Sequence, residues 1–556
     1  MDRREFLGAG AALLATGCAR TAPALPPGEL LGTNLALGHR LREGGLPKAG
    51  ETRRKRVVIV GAGISGLSAA WRLRKAGFDD FELLELEGRP GGNARWGENA
   101  VSRYPWGSHY IPLPTRESRA TRLLLAELGV LQGDPDAGKP RYDERSLCQA
   151  PQERHYRNGT WEEGLAPISG RSKSESDEWQ RFQERMRSFQ ALRGKDGRRA
   201  FAIPLEFSSR DAALLALDRI TMHDWLRAQG FHAEAVHWLV NYACRDDYGC
   251  DYREVSAWAG IHYFACRDAG ARDPEADAVL TWPEGNGFVV RNLMERYRFP
   301  VVTDALVHRM EEGAKEVFLG VYLAQEKRAI DIRAEHVIWA APFGFAARSS
   351  PSPLGEGRGE GNLAAALRAY DYAPWLTVNL TLSEPPHIDH GAPLAWDNVI
   401  YDSPSLGYVV ATHQGVATHP GPTVLTWYLP LAGEAPAAGR KRLASTSREQ
   451  WAEAALADLA GPHPEIRALT TRIDVFANGH AMVRPRPGLI WGDARRVILG
   501  RRGRLHFAHA DASGLSLFEE ANDRGVAAAE AVLGALGGRV STFRWNGADR
   551  SGGQSA

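Results

Sequence analysis

Arg56-Val57-Val58-Ile59-Val60-Gly61-Ala62-Gly63-Ile64-Ser65-Gly66 reads as a strand running straight into a glycine turn. Its first half is an unbroken apolar run, the pattern of a strand covered on both faces. The three glycines have separate tasks. Gly61 permits the tight turn, Gly63 brings bare backbone close to a pyrophosphate, and Gly66 lets the next helix pack on the strand. A helical pattern then runs to Gly77, with Ile64, Leu67 and Trp71 on one face. Its first turn, including the amides of Ile64 and Ser65, offers free N–H groups and a positive dipole end to a phosphate.

Phe81-Glu82-Leu83-Leu84-Glu85 supplies the second strand, and Glu85 stands at its end, where a carboxylate accepts hydrogen bonds from ribose hydroxyls. Strand, glycines, helix, strand and acid in this order define a Rossmann-type dinucleotide-binding unit. The expected class is therefore α/β.

Shortly after Glu85 comes Gly88-Arg89-Pro90-Gly91-Gly92-Asn93. It resembles the second glycine motif of the flavin-containing amine oxidase superfamily, which includes amine oxidases, protoporphyrinogen oxidase and phytoene desaturases. The resemblance implies non-covalently bound FAD, with Arg89, Gly91, Gly92 and Asn93 near its phosphates. Asn93 stands where the family usually has Arg, and Arg95 is the nearby substitute. Three later stretches continue the likeness. Trp282-Pro283-Glu284-Gly285-Asn286-Gly287 is similar to the segment returning from the substrate domain. The strands from Val301 to Pro342 match the re-entry into the FAD domain, and imply that Val307 offers its backbone to the adenine. Leu505 to Asp511 is a strand ending in an acid, and the resemblance places Asp511 against the FAD ribityl-phosphate portion. The helix after it, around Glu520–Leu533, would point its N-terminus at the flavin.

This likeness implies discontinuous domains. FAD-binding segments are expected at 51–115, 285–345 and 485–540. An α+β substrate domain is expected at 116–284 and 346–484, with a tail at 541–556. Helical patterns cover Glu178–Leu192, Ala212–Leu217 and Thr221–Ala228, and strand-like runs cover Trp375–Leu382 and Thr423–Leu431. Gly355–Gly361 lacks the spacing of a second dinucleotide fingerprint and reads as a surface loop.

The 556 residues exceed one compact core. With 68 Lys+Arg against 67 Asp+Glu the formal net charge is +1, which argues against a nucleic-acid partner. Of Cys18, Cys148, Cys244, Cys250 and Cys266 none forms a CxxC pair, so no metal site is expected. Cys244 and Cys250 suit either a disulfide or two buried thiols.

Residues 1–18 read as an address. Arg3-Arg4-Glu5-Phe6-Leu7 precedes a short apolar stretch and resembles the twin-arginine export signal. Ala15-Thr16-Gly17-Cys18 resembles a lipobox, with Cys18 as the lipidated residue. Export in the folded state, through the twin-arginine machinery, to the periplasm or the outer face of the membrane is the expectation. Residues 19–50 then read as a tether or a surface-hugging segment.

For the chemistry, Pro105 to Tyr110 occupies the place of a segment running along the flavin ring. His109 there is a candidate proton acceptor or a structural histidine. His480 to Gly488 resembles a desaturase segment beside the ring. Trp491, Tyr408 and Tyr428 are candidate pocket walls. The leading expectation is an oxidoreductase taking a hydride from an amine or activated C–H substrate, with oxygen or a quinone-like acceptor. A desaturase or isomerase of a hydrophobic substrate and a non-catalytic flavin-binding protein are the alternatives.

Overall fold

A computed structural model describes residues 24–167, 169–267, 278–349, 361–388, 390–415, 421–500 and 503–547. The arginine pair at 3–4, Cys18 and most of Gly355–Gly361 lie outside these residues. In chain order the elements that position the cleft are β1 (Leu30–Gly32), α1 (Leu35–Glu43), β2 (Ala49–Val60), α2 (Ile64–Lys75), β3 (Phe81–Leu84), α3 (Glu234–Tyr248), β4 (Ala305–Glu312), β5 (Arg328–Trp339) and α4 (Phe343–Ser349). They continue with β6 (Tyr372–Leu382), β7 (Thr423–Pro430), α5 (Pro436–Ser445), β8 (Thr470–Val483), β9 (Leu505–Phe507) and α6 (Phe518–Ala535).

Two sheets carry the fold. The first has seven strands, in the order Val301–Val302, β3, β2, β5, Val317–Leu323, β4, with β9 also paired to β5. β2 lies parallel to both β3 and β5. Its apolar run explains itself in the packing. Val57 and Ile59 enter one core with Leu67 and Trp71 of α2, while Val58 and Val60 enter another with Trp339. A strand covered on both faces has no polar alternation to show. α2 also packs against α6, so the last helix of the chain completes the first motif.

The second sheet has eight strands, running β1, β8, β6, β7, Tyr408–Val410, Asp397–Ile400, Glu153–Arg157 and Thr160–Glu163. Helices from the 173–265 region stack beside it around Trp225, Trp258 and Phe201. The expected helical patterns appear as Lys173–Ala191, Ala212–Leu215 and Met222–Ala228.

The segment after residue 24 hugs the surface and carries structure of its own. β1 pairs parallel with β8, through Leu30↔Val475 and Gly32↔Ala477. α1 follows, capped by the Asn34 side chain, which accepts from the Leu37 N–H at 3.1 Å. The chain then enters the other sheet as β2, so a single stretch ties both sheets together. Cys244 and Cys250 are free buried thiols. No described helix is long and apolar enough to cross a membrane.

Candidate functional site

The two glycine turns meet. Gly91 N–H donates to Ala62 O at 2.9 Å, and Gly63 bridges to Gly91. Gly61 (φ +99°), Gly91 (φ +132°) and Gly92 (φ +57°) hold left-handed backbone that other residues adopt only with strain. Gly66 has a different reason to be glycine: a Cβ there would sit 1.9 Å from Gly61 O. At Gly63 the space is open, the nearest heavy atom being Gly92 Cα at 3.7 Å from such a Cβ. That opening is the floor of a cleft.

Gly61, Gly63, Ile64, Ser65, Glu85, Gly91 and Gly92 all line this cleft. So do Asn93, His109, Val307 and Asp511. Gly66 lies just behind it. Arg89 points elsewhere: its guanidinium donates to Trp96 O and lies 5.4 Å from the Trp96 ring centroid. Arg95 does reach the cleft, but is already bound to Glu87 at 3.1 Å and to Gly92 O at 3.0 Å.

Glu85 is fixed by two backbone donors, Ala62 N–H at 2.6 Å and Glu87 N–H at 3.0 Å. Burial raises its pKa and these donors oppose the rise. Each carboxylate oxygen keeps a lone pair for a further hydroxyl. Asp511 is fully buried, and its Oδ2 accepts from Phe343 N–H at 2.9 Å and Tyr372 O–H at 2.5 Å. Its Oδ1 has no donor among the described residues. His509 Nδ1 lies 3.0 Å away and accepts the Asp511 N–H. A buried carboxylate oxygen without a partner costs stability unless something supplies a donor. The glycine floor, the helix start of α2, Glu85 and Asp511 thus fit an extended dinucleotide with hydroxyls at two places.

Beyond Asp511 the cleft becomes aromatic and acidic. His109 stacks on Tyr428 with ring centroids 4.8 Å apart and sits 5.5 Å from Trp396. Burial lowers its pKa to about 4. A ring this weakly basic is a wall of the cleft rather than a proton acceptor. Tyr428 donates to Gly107 O at 3.0 Å and lines the cleft, as does Trp375 of β6. Tyr408 does not; it is buried between Arg154 and His463. Trp491 likewise packs on Trp258.

The same end holds groups that the sequence reading missed. Asp246 and Asp247, in the last turn of α3, and Glu519, in the first turn of α6, face the cleft together with Tyr110 and Arg267. Burial raises Asp246 to about 7, helped by the charge of Asp247, which itself rises to about 6. Glu519 is likewise raised by burial to about 7. Burial works to lower Arg267, but Tyr110, Cys266 and Asp247 carry it upward, so it stays charged. Three carboxylates facing one guanidinium leave this end of the cleft short of positive charge among the described residues.

An α/β fold with one long cleft crossing from a dinucleotide-binding turn to an acidic, aromatic end defines the class. Residues 59–128 match the family model of an NAD(P)-binding Rossmann-like domain. A double mutant of putrescine oxidase is 17% identical with a TM-score of 0.63, over 87% of this chain and 100% of that one. Cyclohexylamine oxidase from Brevibacterium oxydans is 18% identical with a TM-score of 0.62, over 87% and 99%. A protein from an Exiguobacterium species, assigned as a protoporphyrinogen oxidase, is 14% identical with a TM-score of 0.57, over 87% and 98%. The chain has the fold of these proteins across nearly its whole length. No curated protein sequence matches it.

Proposed function

We propose that the chain is an FAD-dependent oxidoreductase that takes a hydride from the carbon next to the nitrogen of an amine carried as a cation. The observation behind this reading is the set of three carboxylates, Asp246, Asp247 and Glu519, at the aromatic end of a dinucleotide cleft. The bound flavin would supply the hydride acceptor, which no side chain can provide. The chain's residues do the rest. Asp246 and Asp247 attract the ammonium and accept its proton as it becomes neutral, which their pKa values near 7 and 6 suit. Trp375, Tyr428 and His109 orient the apolar part and exclude water. The start of α6 brings its positive dipole end to the cleft. None of the four described cysteines lines the cleft, so none of these is placed to bond FAD covalently.

Anaerobic mixing of the purified protein with candidate amines, amino acids and polyenes tests this. One or more amines should bleach the flavin absorbance, and air should restore it. Bleaching by polyenes alone would replace the reading with a desaturase. A flavin that no compound bleaches would make the chain a binding protein.

The same proposal places the working enzyme outside the cytoplasm, on the strength of Arg3-Arg4 and the following short apolar stretch. Replacing both arginines by lysine should leave the protein in the cytoplasmic fraction, whereas undisturbed export would end the twin-arginine reading.

A further inference from the structure

Along one side the cleft carries two positive charges with no anionic partner among the described residues. Arg42 stands in the last turn of α1 and Arg348 in α4, and both line the cleft. Neither makes a hydrogen bond or ion pair with a described residue. They lie close enough to feel one another: the pKa of Arg348 is lowered by partial burial and then by Arg42 and Arg440. His480, also at the cleft, is lowered to about 4 by burial and by the same three arginines. Arg440 itself donates to Tyr372 O at 3.2 Å and pairs with Asp371 at 3.9 Å. Arg42 and Arg348 face one another with no anion paired to either among the described residues, which costs Coulomb energy, so these two await a negative partner.

The cleft has few other sources of positive charge for a pyrophosphate. Arg95 is committed to Glu87 and Gly92 O, and Arg267 sits at the acidic end. α1 is moreover held where it can act. Asn34 N–H donates to both carboxylate oxygens of Glu87 at 3.1 Å, Leu37 is buried against Leu306 and Tyr322, and Arg40 covers the Tyr322 ring at 4.5 Å. Leu35, Gly38 and Leu41 thereby line the cleft, as do Leu86 and Val307.

We propose that Arg42 and Arg348 bind the pyrophosphate of the cofactor from their side of the cleft, while α1 closes over its adenosine half. The assignment rests on the flavin reading above. It makes the segment between the leader and the first fingerprint strand part of the cofactor site, with Arg42 and Arg348 matching two phosphate charges that the helix start of α2 meets from the other side.

Flavin-fluorescence titration of apoprotein with FAD and with riboflavin, which has no pyrophosphate, tests it. Arg42→Ala and Arg348→Ala should each weaken FAD binding about tenfold, one charge-assisted contact apiece. The double variant should lose more, and its FAD affinity should depend less on salt. Riboflavin binding should not change, and Arg187→Ala, exposed on the helix Lys173–Ala191 and outside the cleft lining, should bind FAD as the wild type does. A double variant with wild-type FAD affinity overturns the proposal, as does equal loss of FAD and riboflavin. Wild-type protein that takes up no FAD removes the parent reading as well, so the two failures are distinguishable.

Discussion

Gly66→Ala yields a protein without flavin, and Gly63→Ala yields one that folds and still lacks it. The first result follows from the backbone. A methyl at Gly66 meets Gly61 O at 1.9 Å and Gly61 C at 3.0 Å. Gly61 cannot retreat, because its N–H is bound to Leu84 O at 2.8 Å and its own Cα faces Ala340 O. α2 must therefore move off β2. α6 blocks that path, since Gly525 packs so closely on Ser65 that a Cβ there would lie 2.1 Å from Ser65 O. Overpacking of this kind costs about 3 kcal/mol or more, and it disorders the turn that meets the phosphates. At Gly63 the chain itself leaves room and the backbone is ordinary, with φ −76°. On the proposed function the methyl there fills space that the pyrophosphate would take, so stability survives and binding does not. Flavin absorbance per chain and the melting temperature separate the two: Gly66→Ala loses both, Gly63→Ala only the first. Full flavin content in either variant refutes the corresponding role.

The parts of this site that are legible in the sequence are those where local chemistry leaves no choice. A strand buried on both faces must be apolar throughout, a turn at φ +99° favours glycine, and an acid at a strand end above that turn has a task; hence Gly61, Gly66 and Glu85. β2 nevertheless begins at Ala49, not Arg56. Its first half pairs with β5 beyond the core and carries exposed Arg and Lys, so no apolar run announces it. The β1–α1 segment was hidden for a similar reason. It is short and proline-flanked, and owes its shape to β8, Glu87 and Tyr322, all distant in sequence. Arg89 shows the converse error. Its neighbours Gly91, Gly92 and Asn93 line the cleft, but an exposed arginine beside Trp96 finds the ring and a carbonyl nearer.

The acidic end could not be read at all, because Asp246 and Asp247 at the close of one helix and Glu519 at the start of another look like solvated residues until folding buries them together. Their burial carries a sign that can be measured. Folded pKa values of about 7, 6 and 7 lie above the ordinary carboxylate range, so the folded state holds these protons more tightly than the unfolded chain. The stability they contribute is complete below about pH 4 and is lost as pH rises through 6 to 7. Over that interval the cleft gains negative charge, and affinity for a cationic amine should rise with it. Arg245, Arg267, Asp397, Tyr110, Tyr242, Tyr263 and Tyr428 surround the pair, and all except Asp397 keep their charge state in this range. Replacing Asp246 and Asp247 by Asn removes their share of the titration and leaves that of Glu519, without changing shape. The double variant should melt at a higher temperature than the wild type at pH 8 and at nearly the same temperature at pH 5. Its KM for a cationic amine should rise about a hundredfold at pH 8, the usual cost of removing a buried charge partner, while its FAD affinity stays as in the wild type. An equal melting shift at both pH values would mean that the carboxylates are not protonated by burial. An unchanged KM would mean that the substrate does not carry its charge to this end of the cleft.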